Sequence, residues 1–468
     1  MYLAGVRLKA PYLRWIGTGL ITLQAGRLLA VDMFALPTDT WTSIAAVDAV
    51  VFYANRFIAA ADVFYGYAAA AMLALVIGKE APERYRSVEW LGLAAGTFTF
   101  GWWRRLFDFR LQGYLVGILG LTAVWAEFQT NQPALWGALA VTYALALCAA
   151  RTADRFLDGE SGGARHVAAG AATLAAIALV WHLVPGDYLG LAWMALALVA
   201  LELGLLELPS DFRIHAYAVA ALGALRVVSF NLWLGEKAHP LIPAAAMLLS
   251  YALAARALTV RQRKVYAVAL AAGTLFLLDA LWIAMPESGS APLWALVSLA
   301  LVAASFQWDD PVMRVYAYIV AGLAFLRCWG LNLTTDAEPV MGAATAAACF
   351  YAAQLQAPRG RFARLYYSLL GTSLITILLG YECSGSVLTI ACGVQGVALL
   401  AGGFPLRDRV LRLSGLALLM ACILKLFLWD LRHLETLPRI FSFIVLGLFL
   451  VGVSWIYTRF REHVERYL

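Results

Sequence analysis

Ile214-His-Ala-Tyr-Ala-Val-Ala-Ala-Leu-Gly-Ala-Leu-Arg-Val-Val-Ser-Phe-Asn-Leu232 is the stretch that decides how this chain is read. It contains one arginine, Arg226, and no acid. A helix that crosses a bilayer needs roughly 20 mostly apolar residues, and this run meets that length. Residues 387–403 and 440–457 are of the same kind. Over the full 468 residues, 63% are apolar, 14% are charged and the mean hydropathy is +0.76. Water cannot be the solvent for so much apolar surface, so the chain reads as a multi-pass membrane protein.

The quoted run opens just after Arg213, and comparable openings recur along the chain. Basic residues precede apolar runs at Arg165, Arg213, Lys264, Arg314, Arg364 and Arg412, with intervals of 48, 51, 50, 50 and 48. Arg14, Arg56 and Arg110 extend the series with looser spacing. Partway through most units a proline precedes a second apolar run, as at Pro82, Pro133, Pro185, Pro240 and Pro339. Proline has no amide donor but suits a first helical turn, so it marks helix starts. The expectation is an all-α polytopic fold of about nine tandem helix hairpins, about 18 helices, with a period of ~50 residues. The repeats fall at about 12–55, 57–106, 111–150, 165–207, 213–258, 265–306, 314–356, 364–403 and 410–458, within one transmembrane domain. Residues 459–468 form a charged tail. Asp48, Asn55, Arg56 and Asp62 make the first return helix, 38–55, the doubtful span.

Most of the 35 lysines and arginines lie at the two termini or between a second helix and the next first helix. Cytoplasmic loops are enriched in such residues, so both termini are expected in the cytoplasm and the chain in the bacterial inner membrane.

Leu411-Arg-Leu-Ser-Gly-Leu-Ala-Leu-Leu, Lys425-Leu-Phe-Leu-Trp-Asp-Leu and Arg439-Ile-Phe-Ser-Phe-Ile-Val-Leu-Gly form a recognisable carboxyl-terminal signature. It resembles the carboxyl-terminal part of bacterial membrane proteins grouped as domain of unknown function 2339. The resemblance implies a multi-pass bacterial membrane protein and carries no activity with it.

Ionisable groups within spanning segments are expensive unless paired, hydrated or reaching the interface. Four first helices carry a basic residue with a carboxylate or amide five positions on: Arg27 and Asp32, Arg226 and Asn231, Arg327 and Asn332, Lys425 and Asp430. Each base lies thirteen residues after its opening arginine, ~20 Å along a helix and in the outer half of the bilayer. Glu127, His182, Asp279 and Glu382 fall near the same level. In an α-helix five residues turn ~500°, so the members of each pair point apart and their partners are expected on other helices. These twelve residues define a candidate polar layer, for binding or for holding repeats together. Trp102, Trp103, Arg104 and Arg105 form a candidate lipid anchor at a headgroup boundary.

No glycine-rich phosphate loop, zinc-protease motif or serine elbow is present, and six scattered cysteines and six histidines show no metal-ligand spacing. The sequence therefore leans away from an enzyme and implies no catalytic residue, no metal and no cofactor. The leading expectation is binding or conduction of an anionic or amphipathic solute or lipid at the polar layer. A scaffold for a larger membrane complex is the alternative, and a lipid-linked glycosyl or acyl transferase using Asp39 or Glu83 is weaker. Expected partners are membrane lipid and other membrane subunits. Nucleic acid is not among them, because the net charge of +6 sits at membrane edges.

Overall fold

A computed structural model describes residues 2–58, 62–127, 129–206, 211–233, 239–285, 287–333, 339–357 and 361–426, with 444 and 451. Among the described residues, apolar runs punctuated by proline and basic residues become eighteen α-helices of six or more residues, with no strand. They are α1 (Tyr2–Arg7), α2 (Pro11–Arg27), α3 (Thr38–Ile58), α4 (Phe64–Glu80), α5 (Glu83–Arg104), α6 (Phe107–Ala126), α7 (Gln132–Arg151), α8 (Glu160–Leu183), α9 (Leu189–Leu205) and α10 (Asp211–Arg226). After these come α11 (Leu241–Thr259), α12 (Arg263–Ala284), α13 (Glu287–Gln307), α14 (Pro311–Arg327), α15 (Pro339–Gln356), α16 (Arg361–Glu382), α17 (Gly385–Gly403) and α18 (Arg409–Lys425). Ten described helices are long and apolar enough to cross a membrane. The expected ninth second helix, 438–458, lies outside the described residues.

The even-numbered helices from α2 to α18 are first helices and the odd-numbered ones from α3 to α17 are second helices, in the expected order. Three local differences stand out. The doubtful 38–55 segment is a full helix of 21 residues. Arg56 sits in its last turn, so the next first helix begins at Phe64 and not at 57. The sixth second helix starts at Glu287, with Pro292 inside it. Pro292 is the sixth residue of this helix, past the free amides of the first turn, so it gives up the bond to the carbonyl four residues back.

The chain divides into two compact units, 1–235 and 236–468, with the division falling inside the expected fifth repeat. Within each unit the closest pairing joins a second helix to the first helix after it, as in α5 with α6, α9 with α10, and α17 with α18. The two helices of one sequence repeat touch much less. The cause is the turn. After four of the eight described second helices, an amide bonds a carbonyl five residues back across a left-handed residue: Leu106 N to Gly101 O over Arg105, Gln262 N to Ala257 O over Arg261, Asp310 N to Ser305 O over Asp309, and Asp408 N to Gly403 O over Arg407. This 6→1 closure reverses the chain tightly. It holds although each left-handed non-glycine residue costs ~1 kcal/mol.

Small residues then let the backbones close. A Cβ at Gly101 would lie 2.6 Å from Arg110 N, and one at Gly223 would lie 2.7 Å from Gly190 O. Such close approach is the main source of helix association in lipid, where there is no hydrophobic gain between apolar helices. First helices also lie beside first helices (α4 with α6, α8 with α10, α16 with α18) and second beside second (α5 with α7, α13 with α15), giving each unit two layers.

The looser contact within a repeat is held by tryptophan. Trp90, Trp193 and Trp294 donate from Nε1 to the carbonyls of Ala74, Ile177 and Leu278, each sixteen residues back, at 2.8, 3.4 and 3.1 Å. A carbonyl has two lone pairs, so the helix keeps its own bond. Trp294→Phe is expected to cost about 1 kcal/mol, read as a lowered thermal midpoint in detergent. The tryptophans recur at intervals of 103 and 101, so side-chain roles repeat every two hairpins.

Candidate functional site

Two sets of polar contacts and one groove carry the chemistry. The first set lies where first helices begin. In the first unit, Arg14 bonds Asp62 at 2.8 Å and Arg56 bonds Asp108 at 2.8 Å, while Arg165 forms an ion pair with Asp211 at 2.9 Å, with His166 also on Asp211. Arg110 grips Glu160 through Nε and Nη2 at 2.8 and 2.7 Å, and Tyr114 donates to the same carboxylate at 2.9 Å. The Arg110 side chain is 1% exposed. In the second unit the role passes to neutral donors: Tyr266 to Asp310, and Gln354 to Asp408 at 2.9 Å. Asp310 and Asp408 also cap their helices by accepting from Val312 N and Val410 N, both at 2.9 Å. An acid at a helix start is favoured by the free amides and the helix dipole. Here the same acid ties one repeat to an earlier one.

Outside the spanning helices, partial burial opposes ionisation of Asp62. Hydrogen bonds from Tyr2 and Arg14 and the charge of Arg14 outweigh it, holding the carboxyl below the usual range.

These acids were not among the candidates drawn from the sequence, although the signal was there. Asp62, Asp108, Glu160, Asp211, Asp310 and Asp408 succeed one another at 46, 52, 51, 99 and 98, the same period with two doubled steps. Gln262 fills the first doubled step, just before α12.

The second set is the candidate polar layer at the far ends of first helices. Arg27 and Asp32 do not seek partners elsewhere: they meet at 3.6 Å on one helix. The expectation of separate faces fails because residues Leu28–Asp32 are π-helical. A π turn closes i to i+5 and brings those positions together, where an α turn would separate them. The same widening comes after each of the other three bases, as Val227–Trp233 after Arg226, Cys328–Asn332 after Arg327, and at Leu426 after Lys425.

Arg327 is buried, donates from Nε to Ser290 Oγ at 2.7 Å, and lies over the rings of Trp282 and Trp294 at 4.4 and 5.7 Å. Lys425 Nζ donates to Thr389 Oγ1 at 2.8 Å. Arg226 lies over the Phe230 ring at 3.3 Å. Glu127 comes directly after α6 and accepts from Asn131 Nδ2 at 2.9 Å. His182 is half-buried in the last turn of α8, Asp279 is half-buried on α12, and Glu382 is the exposed end of α16. The side chains of Asn231, Asn332 and Asp430 lie outside the described residues. Of the twelve, Arg27 and Asp32 are brought together; Arg226, Arg327, Lys425 and Glu127 are engaged by residues that the sequence pattern did not single out.

Of the lipid-anchor residues, Trp102 packs beside a groove. Between α5, α6, α7 and α8 runs a cavity of about 540 Å³, walled by residues such as Leu91, Phe98, Gly117, Leu145 and Ala168. Tyr114 and Glu160 stand at one end. A second cavity of about 330 Å³ shares Ile118, Leu121 and Ala171 with the first and continues to Trp125. From Tyr114 to Trp125 is eleven residues, ~16 Å along a helix and close to the ~15 Å of one leaflet's hydrocarbon.

At the Glu160 end, Phe98 and Phe156 pack beside Trp102. Trp102 donates to Thr152 Oγ1 at 2.9 Å and carries Arg155 over its ring at 4.4 Å. Arg104 lies 5.3 Å over the exposed Trp103, and Arg105 reaches Asp154 at 3.6 Å. In the neighbouring segments 102–105 and 151–158, Arg104, Arg105, Arg151 and Arg155 outnumber Asp154 and Asp158.

Stacked apolar helices, joined by ion pairs at their starts and by hydroxyl and aromatic contacts at their far ends, define a multi-pass helical-repeat membrane protein. Residues 315–460 match the model of a family described as Predicted membrane protein (DUF2339), and these residues include the carboxyl-terminal signature. No curated protein and no solved structure matches.

Proposed function

We propose that this protein is a non-enzymatic lipid-binding protein of the bacterial inner membrane, taking an acyl chain of an anionic lipid into the groove between α5 and α8. The observation that carries the reading is the groove itself, apolar along the length of a leaflet, with Tyr114 and Glu160 at one end and Trp102, under Arg155, packed beside that end. A ligand pocket is typically a concave apolar space of roughly 300–1,000 Å³ with a few polar groups fixing orientation. Glu160 and Arg110 pair with one another, and Arg104 and Arg155, over the rings of Trp103 and Trp102, are the cations that would meet a phosphate-bearing headgroup. Conduction past Arg226, Arg327 and Lys425 draws no support from side chains packed against aromatic rings and hydroxyls.

The test is lipid retention. Gly117 lines the groove, and a Cβ there meets Ala94 Cβ at an ordinary 3.7 Å, so Gly117→Phe fills the space without breaking the helix crossing. Mass spectrometry of the detergent-purified protein should find phosphatidylglycerol retained by the wild type and reduced about tenfold in Gly117→Phe, the equivalent of ~1.4 kcal/mol. Gly92→Phe, at an exposed position with nothing within 4 Å, should retain it. Equal retention by both variants, or equal retention of phosphatidylcholine by the wild type, rules the reading out.

A further inference from the structure

α17 and α18 pack as an antiparallel hairpin whose register is set by glycine. A Cβ on Gly403 would lie 3.0 Å from Arg412 N, one on Gly415 would lie 2.7 Å from Leu400 N, and one on Gly396 would lie 2.8 Å from Leu419 Cγ. Each step back along α17 is matched by a step forward along α18. At the far end Lys425 Nζ donates to Thr389 Oγ1 at 2.8 Å. Between those last two contacts the register sets Cys392 opposite Cys422, and the two thiols share a hydrogen bond. In sequence they are thirty residues apart, and only the hairpin makes them a pair.

The arrangement suits a disulfide. A bridge forms when the two Cα atoms stand about 4.4–6.8 Å apart. At the crossing the backbones are close enough for a Cβ on Gly415 to fall 2.6 Å from Gly396 O. One turn further on they need to move little to bring the cysteines together, and the bond from Lys425 to Thr389 keeps them from splaying beyond that point. Cys392 is buried and Cys422 is half-exposed, so an oxidant has one sulfur to reach. The attacking form is the thiolate, which a nearby cation favours and apolar burial opposes. Lys425 lies three residues from Cys422 and bonds a residue three from Cys392, so one ammonium stands a turn from both sulfurs and offsets part of the cost of burial. Among the described residues no group of three His, Cys, Asp or Glu could hold a metal ion, which leaves the pair to sulfur chemistry.

Depth selects the oxidant. Cys422 lies ten residues after Arg412, ~15 Å along the helix and level with the middle of a ~30 Å hydrocarbon core. Water-soluble oxidants do not enter there, whereas quinones dissolve in it. We propose that Cys392 and Cys422 are a redox pair, a dithiol that a membrane quinone oxidises to a disulfide. Two S–H bonds break and one S–S bond forms. The two electrons and two protons pass to the quinone, whose carbonyl oxygens become the hydroxyls of a quinol. The new bond staples α18 to α17 one turn before Lys425, fixing that cation at the far end of the first helix.

The test uses the full chain in quinone-free vesicles of phosphatidylethanolamine and phosphatidylglycerol, reduced with dithiothreitol and washed. Decylubiquinone is added, since its fully substituted ring offers no carbon for a sulfur to join. Free thiols are alkylated after denaturation, and trypsin then cuts at Arg407, Arg409 and Arg412, between the two cysteines. Mass spectrometry should find the peptide carrying Cys392 joined to the one carrying Cys422, with Cys148 and Cys349 alkylated. Cys392→Ser and Cys422→Ser should each abolish the link. Cys383→Ser, which removes another thiol close enough to act on Cys392, should keep it. Alkylated Cys392 and Cys422 in the quinone-treated wild type overturn the proposal, as does a link made through Cys383. The same link formed equally in vesicles without quinone overturns the assignment of the oxidant.

Discussion

Glu160→Gln is expected to lower the stability of the purified protein by about 3–5 kcal/mol, the usual cost of removing one member of a buried ion pair. The change removes no packing volume. What it removes is the charge that balances Arg110, whose guanidinium is 1% exposed and is held by that carboxylate at 2.8 and 2.7 Å. The loss is electrostatic, so a change that deletes both charges must behave differently. Arg110→Met combined with Glu160→Leu should recover much of the stability, because a buried pair replaced by apolar groups of similar volume is often neutral. Arg105→Ala, which breaks an exposed pair with Asp154, should leave the thermal midpoint where it was. Thermal unfolding in detergent, monitored by fluorescence, measures all four proteins. A Glu160→Gln variant as stable as the wild type would show that Arg110 reaches water and that the inter-repeat pairs do not hold the layers together.

Gly223→Leu should destabilise by about 3 kcal/mol, by forcing backbone against backbone. The new Cβ would stand 2.7 Å from Gly190 O and 2.9 Å from Met194 N, and neither atom can rotate away. Propensity acts in the opposite direction: replacing a helical glycine with a better helix former gains up to ~1 kcal/mol. The steric cost wins because α9 must move off α10 along the whole crossing. Gly170→Leu isolates the other term, since nothing lies within 4 Å of its Cβ position, and it should be neutral or slightly stabilising. Should Gly223→Leu unfold at the wild-type temperature, close helix approach at that crossing is not what binds the pair.

The sites were less legible than the fold. The far-end bases could be found by counting thirteen residues from each opening arginine, but their partners could not, because Ser290, Trp282 and Trp294 look like ordinary helix content until α12, α13 and α14 are packed. The i to i+5 pair was misjudged for a definite reason. Five residues mean opposite faces only while the helix stays α, and Leu28–Asp32 does not. The acids at the helix starts were visible as a series but resembled ordinary caps, and only the arrival of Arg14, Arg56, Arg110 and Arg165 showed their second role. The lipid anchor was legible as tryptophan beside arginine. The packing of Trp102 beside a groove was not, since four helices make that groove.

By itself the sequence determined the solvent, the order of first and second helices among the described residues, and the period that generates them. Each of these comes from composition and from where basic residues and prolines interrupt apolar runs, which are local properties. Tertiary structure alone decided which helix pairs closely with which: a second helix with the first helix after it. That choice depends on a left-handed residue closing the turn and on glycines meeting across the crossing, and both become visible only when two backbones lie within van der Waals reach.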